Sequence, residues 1–465
     1  MTDDVVEGVD PNEWSPRIAV VGGGVSGYGA ARRLHTDFPR ARIHIYDRND
    51  WHHYSACGMT FALEGLYPMD GVVLHTPEEY DQMGIEVHEK VEVTGIDLER
   101  RTLDTTPGNP VRFDVLVLAT GRNPLIPPIT GVDLPGVHTL SNYGDGERLM
   151  AAMEGSQRAV VIGGGAIGLE TAVALNARGL DVTVVEMLPH LMPQMLDGDL
   201  AKVVREHLEG LGIRVLTGMS VGRLDPSPDG RVGSAEVLGE SIPADLVVIS
   251  TGIRPEASLA EVAGLDKGTT GGFATDSHMR VLRTGEPVDR VYAIGDCAEV
   301  RHAILGRRTL SPLASTAFYE ARTIAHHLVD PTYEHRPVVA PAVVVIGGLH
   351  VGGVGVTEGG GAHFGLETWG VTASGLDRSR YFPGADLIHL RLVGDAGGHI
   401  VGAQAVASRD VNDRVNLFAL VISEDIPAER LVDMERAFSP PVQLLADPLV
   451  GLLDEFIGVR DALRD

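Results

Sequence analysis

The chain has 465 residues, 44% of them hydrophobic, with 57 glycines and a formal net charge of −26. That length exceeds what one hydrophobic core can serve and implies about three domains, while the acid excess excludes partners that need a basic face, nucleic acid and anionic membranes among them. Two cysteines exclude a disulfide scaffold and suit a reducing compartment, and the opening Met1-Thr2-Asp3-Asp4 leads into no apolar core, so a cytoplasmic protein is expected.

In chain order, Arg17-Ile18-Ala19-Val20-Val21 reads as a buried strand that runs into Gly22-Gly23-Gly24-Val25-Ser26-Gly27 and then a helix through Leu34. This is G-x-G-x-x-G in its working context: the glycines admit a pyrophosphate close to the backbone, and the helix start supplies amide donors. A second strand, Arg42 to Tyr46, ends at Asp47-Arg48, where a carboxylate would accept from a ribose hydroxyl. Ten residues on stands Cys57, so any sulfur chemistry near this nucleotide runs through a single atom.

The unit then recurs. Arg158 to Ile162 leads into Gly163-Gly164-Gly165-Ala166-Ile167-Gly168, a helix to about Arg178, and a strand from Asp181 that ends at Glu186. Two dinucleotide sites are implied. Glu186 would accept from a free 2′-hydroxyl and repel a 2′-phosphate, so NADH is favoured and NADPH remains possible. Two matched segments, Asp114 to Ala119-Thr120-Gly121 and Asp245 to Thr251-Gly252, each read as an acid, a buried strand and a Thr-Gly turn, each followed within three residues by Arg and Pro. They would close the two sheets and carry the crossings between domains. Arg290 to Ile294 ends in Gly295-Asp296-Cys297, which can set a carboxylate on a polyol such as ribityl.

From about Pro337 the texture changes to glycine-punctuated strands, such as Leu387 to Val393, a helix from Asp410 to Ile422 and a last helix after Asp447. This predicts an α+β unit with antiparallel strands. The apolar run from Ala340 to Val356, broken by glycines and His350, is short for a membrane span and is expected to be a strand pair.

These motifs in this order resemble the pyridine nucleotide-disulfide oxidoreductase flavoproteins from Arg17 to about Asp454. The resemblance implies an α/β fold with two Rossmann-like units: FAD-binding segments over 1–125 and 255–334, an NAD(P)H-binding unit over 126–254, and a C-terminal α+β homodimerisation unit over 335–465. The branch with C-x4-C is set aside because Ala62 stands five residues past Cys57. Tyr54-Ser55-Ala56-Cys57-Gly58-Met59 is similar to the single-cysteine branch: coenzyme A-disulfide reductases, coenzyme A persulfide reductases, NADH oxidases and NADH peroxidases. The segments from Arg378 to Gly384 and from Ala437 to Pro441 resemble the coenzyme A-disulfide reductase subgroup.

Carried over by likeness, Val93 would meet the adenine, Asp296 the ribityl chain, and Leu313, Ala314 and Thr316 the flavin's pyrimidine edge. Tyr381 would reach from a second subunit toward Cys57. Departures bear on the substrate. Val25 stands where NADH peroxidases place a histidine, Phe438 where the subgroup has a second tyrosine, Gly347-Gly348 where it has Phe-Asp near the flavin, and His53 where it has Ser or Thr. A helix starting at Cys57 would stabilise a thiolate, and His52 and His53 are the nearby groups able to give a proton near neutral pH, the alternative being a surface pair that packs beside the adenosine part of FAD. Cys297 is expected to be a buried spacer, and His326 and His327 have no partner at ligand spacing, so no metal is expected. The resemblance thus implies reduction of a small disulfide or persulfide by NADH through Cys57, with an oxygen-reducing NADH oxidase as the alternative and, from another class, an NADH-responsive binding module or a reductase for a protein partner.

Overall fold

The computed structural model describes residues 9–50 and 53–464. Its first sheet takes the spatial order Arg280–Arg283, Glu286–Ala293, Val115–Leu118, Arg17–Val21, Arg42–Asp47, Ile85–Glu89, parallel except at the Arg280–Arg283 edge. The strands are fully apolar where they are central: Ile18, Val20, Val115, Leu116, Val117 and Leu118 are all at 0% exposure, which a sheet covered on both faces requires. Helices Val25–Asp37 and Ala314–Val329 pack against each other beside it.

A second sheet repeats the plan with five parallel strands, Arg214–Thr217, Asp181–Glu186, Arg158–Ile162, Leu246–Ile249 and Val137–Thr139. The two segments leaving the Thr-Gly turns, Arg122–Pro124 and Ile253–Pro255, pair antiparallel with one another. Each threonine helps to pin that crossing: Thr120 Oγ1 donates to the Glu256 carbonyl and Thr251 Oγ1 to the Leu125 carbonyl at 2.6 Å.

The third sheet is antiparallel throughout, in the order Ala342–Ile346, Leu349–Gly355, Ile400–Ala407, Leu387–Asp395, Thr368–Leu376. Helices Val411–Ser423 and Pro448–Arg464 pack against it. The apolar run that begins near Ala340 is a hairpin. Gly347 and Gly348 form its turn with φ +56° and +86°, the left-handed pair that a two-residue hairpin demands. The turn packs on the helix Gly198–Gly210 and its end: the Gly347 carbonyl meets His207 Nε2 at 3.0 Å, and a Cβ on Gly347 would strike Leu211. Among the described residues no helix is long and apolar enough to cross a membrane.

Candidate active site

Both glycine loops fold by one device. Gly22 (φ +107°) and Gly163 (φ +113°) each turn in a conformation that L side chains avoid, and a Cβ on either would lie 2.2 Å from the backbone oxygen of Ala119 or Ser250. Gly27 and Gly168 let each helix sit on its own strand, since a Cβ would meet the carbonyl of Gly22 or Gly163. At Gly24 and Gly165 a Cβ would meet open space, which leaves the start of each helix free for a ligand to approach the backbone. The strand-end acids also match. Asp47 accepts from the Gly23 amide at 2.5 Å and the Asn49 amide at 2.8 Å, and Glu186 from Gly164 at 2.6 Å and Leu188 at 2.7 Å. Ile167 lies partly buried against the second core, and the Gly252 carbonyl accepts from Leu125 at the crossing.

The first loop opens on a cavity of about 440 Å³ that gathers Gly22, Gly24, Ser26, Asp47, Arg48, Val93, Ala119, Thr120, Gly121, Asp296, Leu313 and Ala314 with Cys57. Segments more than 250 residues apart in sequence thus share one wall. This cradle of bare glycine backbone, a strand-end acid and a second acid on the Gly295–Cys297 turn suits a flavin dinucleotide. Gly295 (φ +73°) carries that turn past Ser26, where a Cβ would clash with the hydroxyl. Two larger concavities, of about 1230 and 940 Å³, include neither glycine loop nor a cysteine.

Cys57 is exposed and lines this cavity. It sits in a single 3-10 turn, Ala56–Gly58, which runs into the six-residue helix Met59–Glu64. The expectation that a helix start lowers its pKa is corrected. Burial pushes the thiol up, the negative charges of Glu170 and Asp296 push the same way, and only Arg122 and a backbone hydrogen bond pull down. Arg122 donates to Asp296 at 2.9 Å, so a cation that draws the thiol's pKa down also balances the acid.

Sequence reasoning did not single out Glu170. It is the one ionisable side chain in the mostly apolar helix Ala166–Ala177, and that isolation was the available signal. Thr60 Oγ1, on the helix after Cys57, donates to it at 3.1 Å, and burial raises its pKa to about 7. Glu320 was missed as well; fully buried beneath the flavin-side turn, it accepts from the Gly295 amide at 2.6 Å and is raised to about 8 by burial.

Two expected residues, His53 and Thr316, face away from the cavity. His53 does not line the cavity: its ring stacks on Tyr28 at 4.9 Å, its Nδ1 meets the Tyr80 hydroxyl at 2.8 Å, and burial, helped by His75 and Arg32, lowers its pKa to about 4. A histidine so placed is neutral at pH 7 and turned away from the cavity, so it is not the proton donor that its place in the sequence suggests. Its neighbour His52 lies outside the described residues. Thr316 is buried below the helix start and bonds Ser311 at 2.8 Å instead of facing the cavity. Tyr381 is 77% exposed on the third unit and takes no part in the cavity of its own chain. Cys297 is fully buried, its sulfur donating to the Ile294 carbonyl at 3.2 Å.

Residues 16–321 match the family described as Pyridine nucleotide-disulphide oxidoreductase. The chain belongs to this family. A relative named NADH oxidase in Methanocaldococcus jannaschii is 32% identical over 456 residues, which is 96% of this chain and 99% of the relative. The NAD(P)H coenzyme A polysulfide/persulfide reductase of Pyrococcus horikoshii is 28% identical over 94% of this chain and 97% of its own. Among solved structures, a NAD-dependent persulfide reductase from A. fulgidus superposes with a TM-score of 0.90 at 30% identity, covering 96% of this chain and 84% of that one. This family member is accordingly an enzyme, an NAD(P)H oxidoreductase, and FAD is the flavin cofactor typical of the family.

Proposed function

We propose that this oxidoreductase uses NADH and FAD to reduce a small disulfide or persulfide of the coenzyme A class, with Cys57 as the redox-active thiol. The observation that carries the reading is that Cys57 opens onto the cavity that also holds the first glycine loop, Asp47 and Asp296. Relatives named for coenzyme A-dependent sulfur and polysulfide chemistry support the acceptor class. Glu186, a buried carboxylate at the second strand end, supports NADH over NADPH.

In balance, NADH, a proton and R–S–S–R give NAD⁺ and two R–SH. The bound cofactors supply the electron pair beside Cys57. The thiolate attacks one sulfur, the S–S bond breaks, and the departing sulfur leaves as a thiolate that takes a proton, while its partner stays on Cys57 as a mixed disulfide; the electron pair then breaks that Cys57 S–S bond, the second sulfur leaves as a thiolate that takes a proton, and the Cys57 thiolate is restored. Arg122 offsets the charge that grows at sulfur, and Glu170, which holds its proton below about pH 7, keeps the opposing charge off that wall. Thr120, Gly121 and Asp296 would hold the flavin, and Gly163, Gly165 and Gly168 would hold the nicotinamide dinucleotide. Residues 335–465 form the interface of a homodimer, through which the exposed Tyr381 would reach the partner's site.

An anaerobic acceptor panel tests the reading. NADH consumption should require coenzyme A disulfide, a persulfide or polysulfide, and should not require oxygen; consumption that stops without oxygen and is restored by none of these acceptors contradicts it. The second reading, an oxygen-reducing NADH oxidase, is favoured by the 32% identical relative of that name and predicts that second outcome.

A further inference from the structure

The outer face of the first sheet carries a cluster that the redox chemistry does not use. His44 lies on the strand Arg42–Asp47 and Glu86 and His88 on the neighbouring edge strand Ile85–Glu89, where the parallel register sets His44 opposite Glu86 and Tyr46 opposite His88. Side chains alternate along a strand. Ile43, Ile45 and Ile85 therefore enter the core at 0–1% exposure, and the two histidines share the opposite face, each a little over a quarter exposed.

Their ligand atoms converge. His44 Nδ1 and His88 Nε2 stand 3.1 Å apart, His44 Nδ1 is 3.4 Å from Glu86 Oε2, and His88 Nε2 is 3.5 Å from Glu86 Oε1. The two Glu86 distances end on different oxygens, so the carboxylate turns one oxygen toward each ring, and one ligand atom from each of the three residues lies within 4.8 Å of the others, close enough for a single ion to gather them with small side-chain shifts. A plain hydrogen bond between the two rings explains only the first distance; it gives no reason for the carboxylate to bridge both nitrogens. The rings are also held in place, since Tyr46 stacks on His88 at 4.6 Å and 7° between planes. We propose that His44, His88 and Glu86 form a site for a divalent transition metal of the zinc class, with water as the fourth ligand.

The ion would join the edge strand to the strand that ends at Asp47, and the Val91 amide already donates to the Asp47 carbonyl at 2.9 Å just past the edge strand. Metal binding therefore ties down the nucleotide end of the sheet without touching the thiol.

The test uses the FAD-loaded enzyme, stripped with a chelator and titrated with Co²⁺, whose visible d–d bands are strong only in a low-symmetry, four-coordinate site. The expected result is one equivalent bound with intense bands that Zn²⁺ displaces, and a melting temperature that rises with Zn²⁺. His88→Asn should abolish the bands, and Glu86→Gln, at an exposed position that leaves folding intact, should weaken binding at least about tenfold. Weak, octahedral-type bands in the wild type, or intense bands unchanged in both variants, overturn the proposal.

Discussion

The two cysteines share a cofactor-binding half of the molecule and have opposite fates. Cys297 follows the flavin-side acid Asp296 by one residue, yet its sulfur faces inward, donates to backbone carbonyls and is pushed up to about 11 by burial. Cys57 is also pushed up by burial, but it stands on the cavity wall with Arg122 opposing that shift. What separates them is access and one cation, not sulfur chemistry or closeness to the flavin site in sequence. Both cysteines sit in 3-10 turns, Ala56–Gly58 and Gly295–Cys297, so the difference lies in where the turn presents the sulfur, on the cavity wall for Cys57 and into the core for Cys297.

Substitution at the two positions should give the sharpest contrast. Cys57→Ser is expected to lower anaerobic turnover with disulfide acceptors on the order of 10³-fold or more, with the flavin spectrum of the oxidised enzyme retained. Cys297→Ala should leave kcat within about twofold and cost about 1–2 kcal/mol in denaturant unfolding. A Cys297 variant that is inactive but folded would erase the distinction.

Substitutions away from the two thiols give smaller effects. Glu186→Gln should raise KM for NADH about tenfold and narrow the gap to NADPH, read from the ratio of kcat/KM values. Glu170 is neutral below about pH 7 and charged above it, and its charge raises the Cys57 pKa. Glu170→Gln should therefore speed alkylation of Cys57 by iodoacetamide about two- to tenfold above pH 7 and leave the rate unchanged below pH 6. The smallest kinetic effect is expected at His53: with a pKa near 4 it does not titrate between pH 5 and 8, so His53→Gln should leave the pH–rate profile in place. Its effect belongs to stability. A group neutral when folded and basic when unfolded costs stability as pH falls from about 6.5 to 4, and the variant should lose that part of the acid dependence.

Much of this was legible in the sequence because the motifs are local. The strand before Gly22, the acid at Asp47 and their repeat at Gly163 and Glu186 need only neighbours in the chain, and the strand Arg17–Val21 falls at the bounds that its apolar run implied. The two Thr-Gly turns were legible as a pair, although that their crossings hydrogen-bond to each other is a tertiary fact. What sequence could not resolve depended on which way a side chain turns. His53 lies four residues from Cys57 yet faces Tyr28 and Tyr80, and Thr316 turns to Ser311. Glu170 lies more than 100 residues from Cys57 and reaches it only because the helix Ala166–Ala177 packs on Met59–Glu64. The His44, Glu86 and His88 cluster required a register between strands, which no spacing along the chain encodes.

The most direct measurement is to trap the thiol during turnover. The enzyme, reduced with NADH without oxygen and mixed with coenzyme A disulfide, is quenched in acid, alkylated and digested, and the peptide containing Cys57 is weighed. The account predicts a coenzyme A adduct on Cys57 and none on Cys297. Continued reduction of the disulfide with Cys57 found only as the alkylated free thiol would contradict it.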